Sequence, residues 1–365
     1  MKKTAAAPLS ENAPEKLLLF PDKLKAILES RLRKEGGFRP DPRFPISVEL
    51  SLTHLCDLDC VYCSDRRVRR SPDLLTPAVL KKLIGDLKEG GVRGLVIEGG
   101  GEPTLSPLFP EAVETASGLS LPLGLITNGL KLFAADRDAS LYRRFQWIRV
   151  SLDAASEESF HRLKGRKGFH RTLENIARLA RLEPRPVVGA GYVLTRLNSD
   201  PEELLRLAQT LREMGGVSYL AVRPVVDHPD LSYRPPEGAL GAEESLARLK
   251  SLETPDFLVD LAPLSLNKVR GNLGLPCLAH SLAAVVGADG LVWICGRLNA
   301  QDDFRPLGSL LEESFGEIWE GGKRREQAAL LSSAAYCRKN CPDCRMTKFN
   351  LLLSRVLALR TPDFI

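Results

Sequence analysis

The sequence predicts an α/β protein built on a parallel sheet, with a smaller α+β unit behind it. Three observations carry this reading. Strand-like runs alternate with amphipathic helical runs about six times between residues 44 and 223, the pattern of βαβ units. A Pro- and Gly-rich stretch at 225–276 interrupts the alternation, and a hairpin pattern follows it. With 365 residues, the chain exceeds one small module and suffices for a large domain plus an appendage.

Each element has its own signal. Residues 1–20 are polar and Pro-rich. A helix is expected over 21–34, because Phe20, Leu24, Ile27, Leu28 and Leu32 recur near a helical period. Phe44–Leu52 reads as the first strand, with others near 94–98, 122–127, 147–152, 187–194 and 217–223. Helices are expected near 76–90, 107–118, 156–163, 168–182 and 200–215. Thr76-Pro77 and Asp200-Pro201 each set an N-cap before a proline at the first helical position. A further helix is expected near 240–252. Ala283–Gly287 and Leu291–Ile294 flank Ala288-Asp289-Gly290, a hairpin signature with glycine in the turn. The expected organisation is 1–45 (polar segment and helix), 46–230 (core), 231–276 (bridge) and 277–365 (C-terminal unit ending in a helix).

Composition narrows the function classes. An apolar fraction of 44% and a charged fraction of 27% exclude a disordered, collagenous or coiled-coil chain. There is no apolar run of membrane-spanning length. The opening MKKTAAAPLSENAPEK has signal-peptide lysines, but Pro8, Glu11, Asn12, Pro14 and Glu15 break the apolar region such a peptide needs. A cytoplasmic protein with no membrane partner is expected. The net charge of +5 is too mild to argue for nucleic acid, and no stripe of aromatic and basic residues supports that partner. The densest basic block, Arg66, Arg67, Arg69 and Arg70, reads either as a solvated loop or as a phosphate or carboxylate contact.

The eight cysteines are clustered. Cys56, Cys60 and Cys63 form C-x3-C-x2-C; Cys277, Cys295, Cys337, Cys341 and Cys344 lie in the last quarter. In a reducing compartment, clustered cysteines bind metal more often than they pair. Three thiolates without a near fourth ligand suit an iron–sulfur cluster with one iron open to chemistry. His54, His161, His170 and His280 show no metal-ligand spacing. Four of the C-terminal thiolates would also satisfy a structural zinc site.

The run Cys56-Asp-Leu-Asp-Cys60-Val-Tyr62-Cys63 resembles the C-x3-C-Φ-C signature of the radical S-adenosylmethionine (SAM) superfamily, with Tyr62 as the aromatic Φ. Gly99-Gly100-Gly101-Glu102-Pro103 after a strand resembles that family's GGE motif, and Thr127-Asn128-Gly129 and Ser151-Leu-Asp153 match later landmarks. The resemblance implies a partial (β/α)6, TIM-like barrel with its chemistry at the strand C-termini. It implies SAM as cofactor, with Glu102 beside the methionyl amine, Gly100 and Gly101 giving close backbone approach, and Tyr62 against the adenine. Asn128 lies at a family landmark, while Ser151 and Asp153 would meet the ribose. A flavodoxin- or ferredoxin-type electron donor would serve such an enzyme.

The run from Cys277 through Gly290 to Cys295 is similar to the opening of the SPASM and twitch extensions of this superfamily. A full SPASM set has seven cysteines; five here imply one auxiliary [4Fe–4S] cluster. Its expected ligands are Cys277, Cys295, Cys341 and Cys344, so two [4Fe–4S] clusters are expected in all. Cys337 is left over, a candidate hydrogen-atom donor. The pattern resembles that of aminoglycoside-pathway dehydrogenases. Residues 1–45 read as too short for a leader-peptide-binding domain. The expectation is therefore hydrogen abstraction from a small polar molecule (a sugar, cyclitol, aminoglycoside or nucleotide sugar), giving dehydrogenation or epimerisation. The alternatives are a peptide-modifying enzyme and a sugar-acid decarboxylase. Tyr192, Arg196, Arg223, Asp227 and His228, at the ends of the last strands, are the candidate substrate contacts.

Overall fold

The computed structural model describes residues 13–32, 41, 43–133, 138–225, 243–261, 275–296, 298–299, 304–341, 344 and 346–358. Its centre is one ten-stranded sheet. Strands β1 (Ser47–Leu50), β2 (Gly94–Ile97), β3 (Leu123–Thr127), β4 (Trp147–Ser151), β5 (Val187–Leu194), β6 (Val217–Pro224) and β7 (Leu258–Asp260) lie side by side in chain order and run parallel. This is a mixed α/β fold, and its parallel strands in chain order agree with the partial barrel that the resemblance implies. The expectation of about six βα units holds, and short β7 adds a seventh parallel strand that no sequence pattern marked.

The crossover helices bury one face each. In α2 (Pro77–Glu89), Thr76 accepts the Val79 amide and Pro77 opens the first turn; Leu80, Leu83, Ile84 and Leu87 then fall on one buried face. α3 (Phe109–Gly118) buries Phe109, Ala112, Val113 and Ala116 at the same spacing. Two helices follow β4: α4 (Glu157–Lys164), closed by Gly165 at φ 76°, and α5 (Phe169–Ala180). α6 (Pro201–Met214) starts on the Asp200 cap. α7 (Glu243–Lys250) lies inside the expected helix at 240–252.

The C-terminal segment extends the same sheet. β8 (Ala283–Val286) pairs parallel with β1, Ser47 opposite Ala283 and Leu50 opposite Val286. β9 (Leu291–Trp293) folds back on β8, and β10 (Gly308–Ser309) pairs with β9. The hairpin thus covers the edge β1 would otherwise expose, a common way of protecting unpaired backbone groups. Its register places the ends bearing Cys277 and Cys295 level with the start of β1, whereas Cys56 follows the end of β1.

Among the described residues, four short helices follow: α8 (Phe315–Glu320), α9 (Gly322–Leu331), α10 (Ala334–Asn340) and α11 (Thr347–Leu357). The N-terminal helix α1 (Pro21–Leu32) packs with α11 in a second core that gathers Leu17, Ile27, Leu278, Leu282 and Leu353. A buried polar clasp ties α1 to α8 and α9. Lys23 pairs with Asp41 at 2.9 Å, Arg324 donates to the Asp41 carbonyl at 2.8 Å, and its guanidinium lies 4.0 Å from the Trp319 ring centre. Among the described residues, no helix is long and apolar enough to cross a membrane.

Candidate functional site

The three N-terminal thiols sit on the loop that leaves β1, and the ends of the neighbouring strands lace that loop in place. The Asp59 and Val61 amides donate to the carbonyls of Lys164 and Leu163 at 3.1 and 3.0 Å, so the segment around Cys60 rests on the end of α4. Arg166 donates to the Asp57 carbonyl at 3.1 Å, and Asn128 donates to the Asp57 carboxylate at 2.7 Å. Upstream, Asp73 accepts the His54 amide at 2.7 Å and the Thr53 hydroxyl. The His54 ring is buried against the Ser71 carbonyl, a structural role.

Burial pushes the Cys60 thiol up to about 12, with Lys164 pulling the other way. Burial raises Cys56 and Cys63 too; Arg69 opposes the rise at both. The basic block is thus split in use. Arg69 faces the thiols, while Arg66 reaches the Asp59 carboxylate at 2.9 Å and the Cys60 carbonyl at 3.1 Å.

The glycine-rich turn after β2 is pressed onto the cysteine loop. The Gly101 and Glu102 amides donate to the Thr53 and Leu55 carbonyls, both at 2.8 Å. A Cβ on Gly101 would stand 1.9 Å from the Leu55 carbonyl oxygen, and Gly100 has φ 59° with a Cβ position 2.8 Å from the His54 ring. Both positions therefore demand glycine for the chain's own packing.

Glu102 is 2% exposed. Its carboxylate accepts the Thr104 amide (3.0 Å) and hydroxyl (2.7 Å), the Thr127 hydroxyl (2.7 Å) and the Asn128 amide (2.7 Å). Burial still raises its pKa against those donors. Glu102 thus braces the β2 turn against the end of β3, a tie that the reading of it as an ammonium partner did not include.

Tyr62 and Asp153 meet in the same way. The Tyr62 hydroxyl donates to Asp153 Oδ2 at 2.7 Å, and burial pushes that phenol's pKa up. The other Asp153 oxygen accepts the Val193 amide at 2.7 Å. Lys164 Nζ stands 2.8 Å from Asp153 Oδ2, both side chains at most 2% exposed, and also donates to the Ser151 carbonyl. Burial works to lower the Lys164 pKa; Asp153 and Cys60 outweigh it, so the shift is upward. Asp153 itself holds φ 60°, uncommon for a residue with a side chain.

One expectation at the last strands is corrected. Tyr192 is 1% exposed and donates its hydroxyl to the Asn198 carbonyl at 2.7 Å, so it serves a turn inside the protein and not a substrate. Asp227 and His228 lie outside the described residues. Arg196 is exposed just past β5, and Arg223 is half-buried near the end of β6.

All five C-terminal cysteines converge. Asn350 Nδ2 stands 3.9 Å from Cys277 Sγ and 3.8 Å from Cys344 Sγ. Its Oδ1 accepts the Leu278 and Ala279 amides at 2.8 and 2.9 Å. Burial and the neighbouring Cys344, Cys295 and Cys337 push Cys277 far up; burial brings Cys344 to about 11. Cys341 is raised first by its hydrogen bond with Cys337. Cys337 is fully buried, and its thiol donates to the Leu331 carbonyl at 3.1 Å. A hydrogen-atom donor must reach its substrate, so Cys337 is no candidate for that task. Among the described residues, no three ligand-type side chains stand at the spacing of a single bare ion. A cluster gives each thiolate its own iron and seats its ligands farther apart. Soft thiolates in this number fit iron–sulfur ligation.

The radical SAM superfamily profile matches residues 50–208, and that of the SPASM iron-sulfur cluster-binding domain matches residues 277–345. The chain thus carries a radical SAM domain and a SPASM iron–sulfur cluster-binding domain. Radical SAM chemistry brings SAM and a [4Fe–4S] cluster to the first domain, and SPASM brings auxiliary iron–sulfur ligation to the second. The chain is 28% identical to the PqqA peptide cyclase of Bradyrhizobium diazoefficiens over 340 residues, covering 81% of this chain and 86% of that protein. It is 25% identical to the mycofactocin maturase MftC of Mycobacterium tuberculosis over 308 residues, 80% of this chain and 75% of that one. Streptococcus suis SuiB, solved with its precursor peptide SuiA, shares the fold at a TM-score of 0.64 and 14% identity, over 98% of this chain and 81% of that one.

These relatives overturn the expectation of a small-molecule partner and of sugar-type dehydrogenation or epimerisation. The PqqA cyclase matches this chain along most of both lengths, and its named substrate is a peptide. The cofactor motifs could not make this distinction, because the contacts expected of them are to SAM and iron and not to the substrate.

Proposed function

We propose that this chain is a peptide-modifying radical SAM/SPASM enzyme. The observation that carries the reading is the likeness to a peptide cyclase over 81% of this chain, which spans both matched domains. Cys56, Cys60 and Cys63 hold the first cluster, and Cys277, Cys295, Cys341 and Cys344 an auxiliary one. When bound, the first cluster and SAM together supply a 5′-deoxyadenosyl radical that removes a hydrogen atom from the substrate.

The residues around the site position that chemistry. Gly100 and Gly101 leave the turn beside Thr53 and Leu55 without side chains, so its backbone faces the cysteine loop closely. Glu102 and Asn128 fix the turns that flank SAM. Tyr62 gives its ring to the adenine while its hydroxyl stays on Asp153; Ser151, half-buried at the end of β4, is the freer ribose partner. Arg196 and Arg223 are the remaining substrate contacts from the strand ends. Reduced thiols and iron–sulfur chemistry fit a cytoplasmic location.

The test is anaerobic reconstitution with iron and sulfide, then incubation with SAM, dithionite and synthetic peptides from short reading frames beside the gene. Mass spectrometry should find a peptide that changes mass, or takes up deuterium from heavy water, only with SAM present. Formation of 5′-deoxyadenosine with every such peptide unchanged would overturn the reading.

A further inference from the structure

Lys164 closes α4, a place where an exposed lysine would satisfy the helix dipole. It is instead 1% exposed. Burying an ammonium is costly unless it is paired and hydrogen-bonded, and here it is both, through Asp153 and the Ser151 carbonyl. Its own carbonyl carries the Asp59 amide, so this end of α4 is joined to the loop segment that holds Cys60. Tyr62, two residues after Cys60, hydrogen-bonds the same Asp153 oxygen that pairs with Lys164.

We propose that Lys164 is the counter-charge of the cysteine loop, a positioning residue that sets how readily the cluster at Cys56, Cys60 and Cys63 accepts an electron. The inference rests on those three cysteines being cluster ligands. Cluster potentials follow net charge, hydrogen bonding and burial, and a positive charge in a low-dielectric interior stabilises an added electron. Asp153 tempers that charge. The one electron comes from an external chemical reductant and remains on the cluster, with no bond made or broken. Arg69 approaches from the Cys63 side.

The experiment is a mediator-poised redox titration of the reconstituted full chain without SAM. It follows the EPR signal of the reduced protein that disappears in C56A/C60A/C63A. K164M should make reduction harder by about tenfold in the equilibrium, or about 59 mV for one electron. K164R should stay within about twofold of wild type. D153N, which leaves the ammonium less neutralised, should shift the opposite way from K164M. Iron content and thermal midpoint are measured on each. A K164M potential equal to wild type overturns the proposal, as does a shift of K164M and D153N in one direction, the mark of general loosening. If K164M fails to hold iron, the other two variants decide: D153N must become easier to reduce and K164R must match wild type. A wild-type signal that survives the triple substitution overturns the ligand assignment, and the proposal with it.

Discussion

The two cysteine groups lie toward opposite ends of β1 and in contrasting surroundings. The N-terminal three stand on a loop crossed by charge: Asp57 with Asn128, Asp59 with Arg66, and Asp153 with Tyr62 and Lys164. The C-terminal five face chiefly one another, with Asn350 between two of them. The register of β8 on β1 sets the base of the hairpin about 10 Å or more along the strand from the cysteine loop, at about 3.3 Å per residue. A three-thiol set on a polar loop leaves room for a reactant. A set that can close four ligands, held between α11 and the hairpin, suits storage or relay of charge. The difference teaches that two thiol sets of similar burial can differ in the charge around them, which on the proposed function would let one initiate and the other complete the radical chemistry.

The contrast can be broken from the C-terminal side first. Asn350→Leu removes the acceptor of two buried amides, and each orphaned amide should cost roughly 1–3 kcal/mol. Chelator titration should then strip the C-terminal iron first and spare the signal that depends on Cys56, Cys60 and Cys63. Equal loss from both sites would show that the two are not independent. Next, Asn128→Ala cuts the tie to Asp57 and should cost about 1–2 kcal/mol by denaturant melts, with SAM affinity falling more than stability. Thr127→Val removes one of four donors to Glu102. About 1 kcal/mol of stability should go, and calorimetry should show weakened SAM binding. Smallest is Arg66→Gln. Its ion pair with Asp59 is exposed on both sides, so stability should move by less than about 1 kcal/mol, and less still in high salt.

The repetitive and local features were legible in the sequence. The strands from β1 to β6 came from alternation, α2 and α6 from their Thr76-Pro77 and Asp200-Pro201 starts, and the cysteine loop from its spacing. The pairing of β8 with β1 was not, since Ala283–Val286 carries no mark of its partner. β7 has three residues, too few to show a period. α9 and α10 were missed because short polar segments such as Gly322–Leu331 have weak amphipathic patterning. At the site, spacing pointed to the thiols, and the family resemblance to Glu102, Asn128 and Asp153. It gave no hint of Lys164, Asn350 or Asp57, whose partners lie far along the chain. Tyr192 was misplaced for a related reason. A tyrosine near a strand end reads as a contact until its hydroxyl is traced to Asn198.

The division of labour is tested most directly by 5′-deoxyadenosine release under dithionite. Wild type, C56A/C60A/C63A and C341A/C344A would be assayed together, with peptide modification read by mass in the same samples. The account predicts that the N-terminal variant releases none. The C-terminal variant should still release 5′-deoxyadenosine while yielding no modified peptide. SAM cleavage by the N-terminal variant, or its complete loss in the C-terminal one with the first cluster's EPR signal intact, would contradict it.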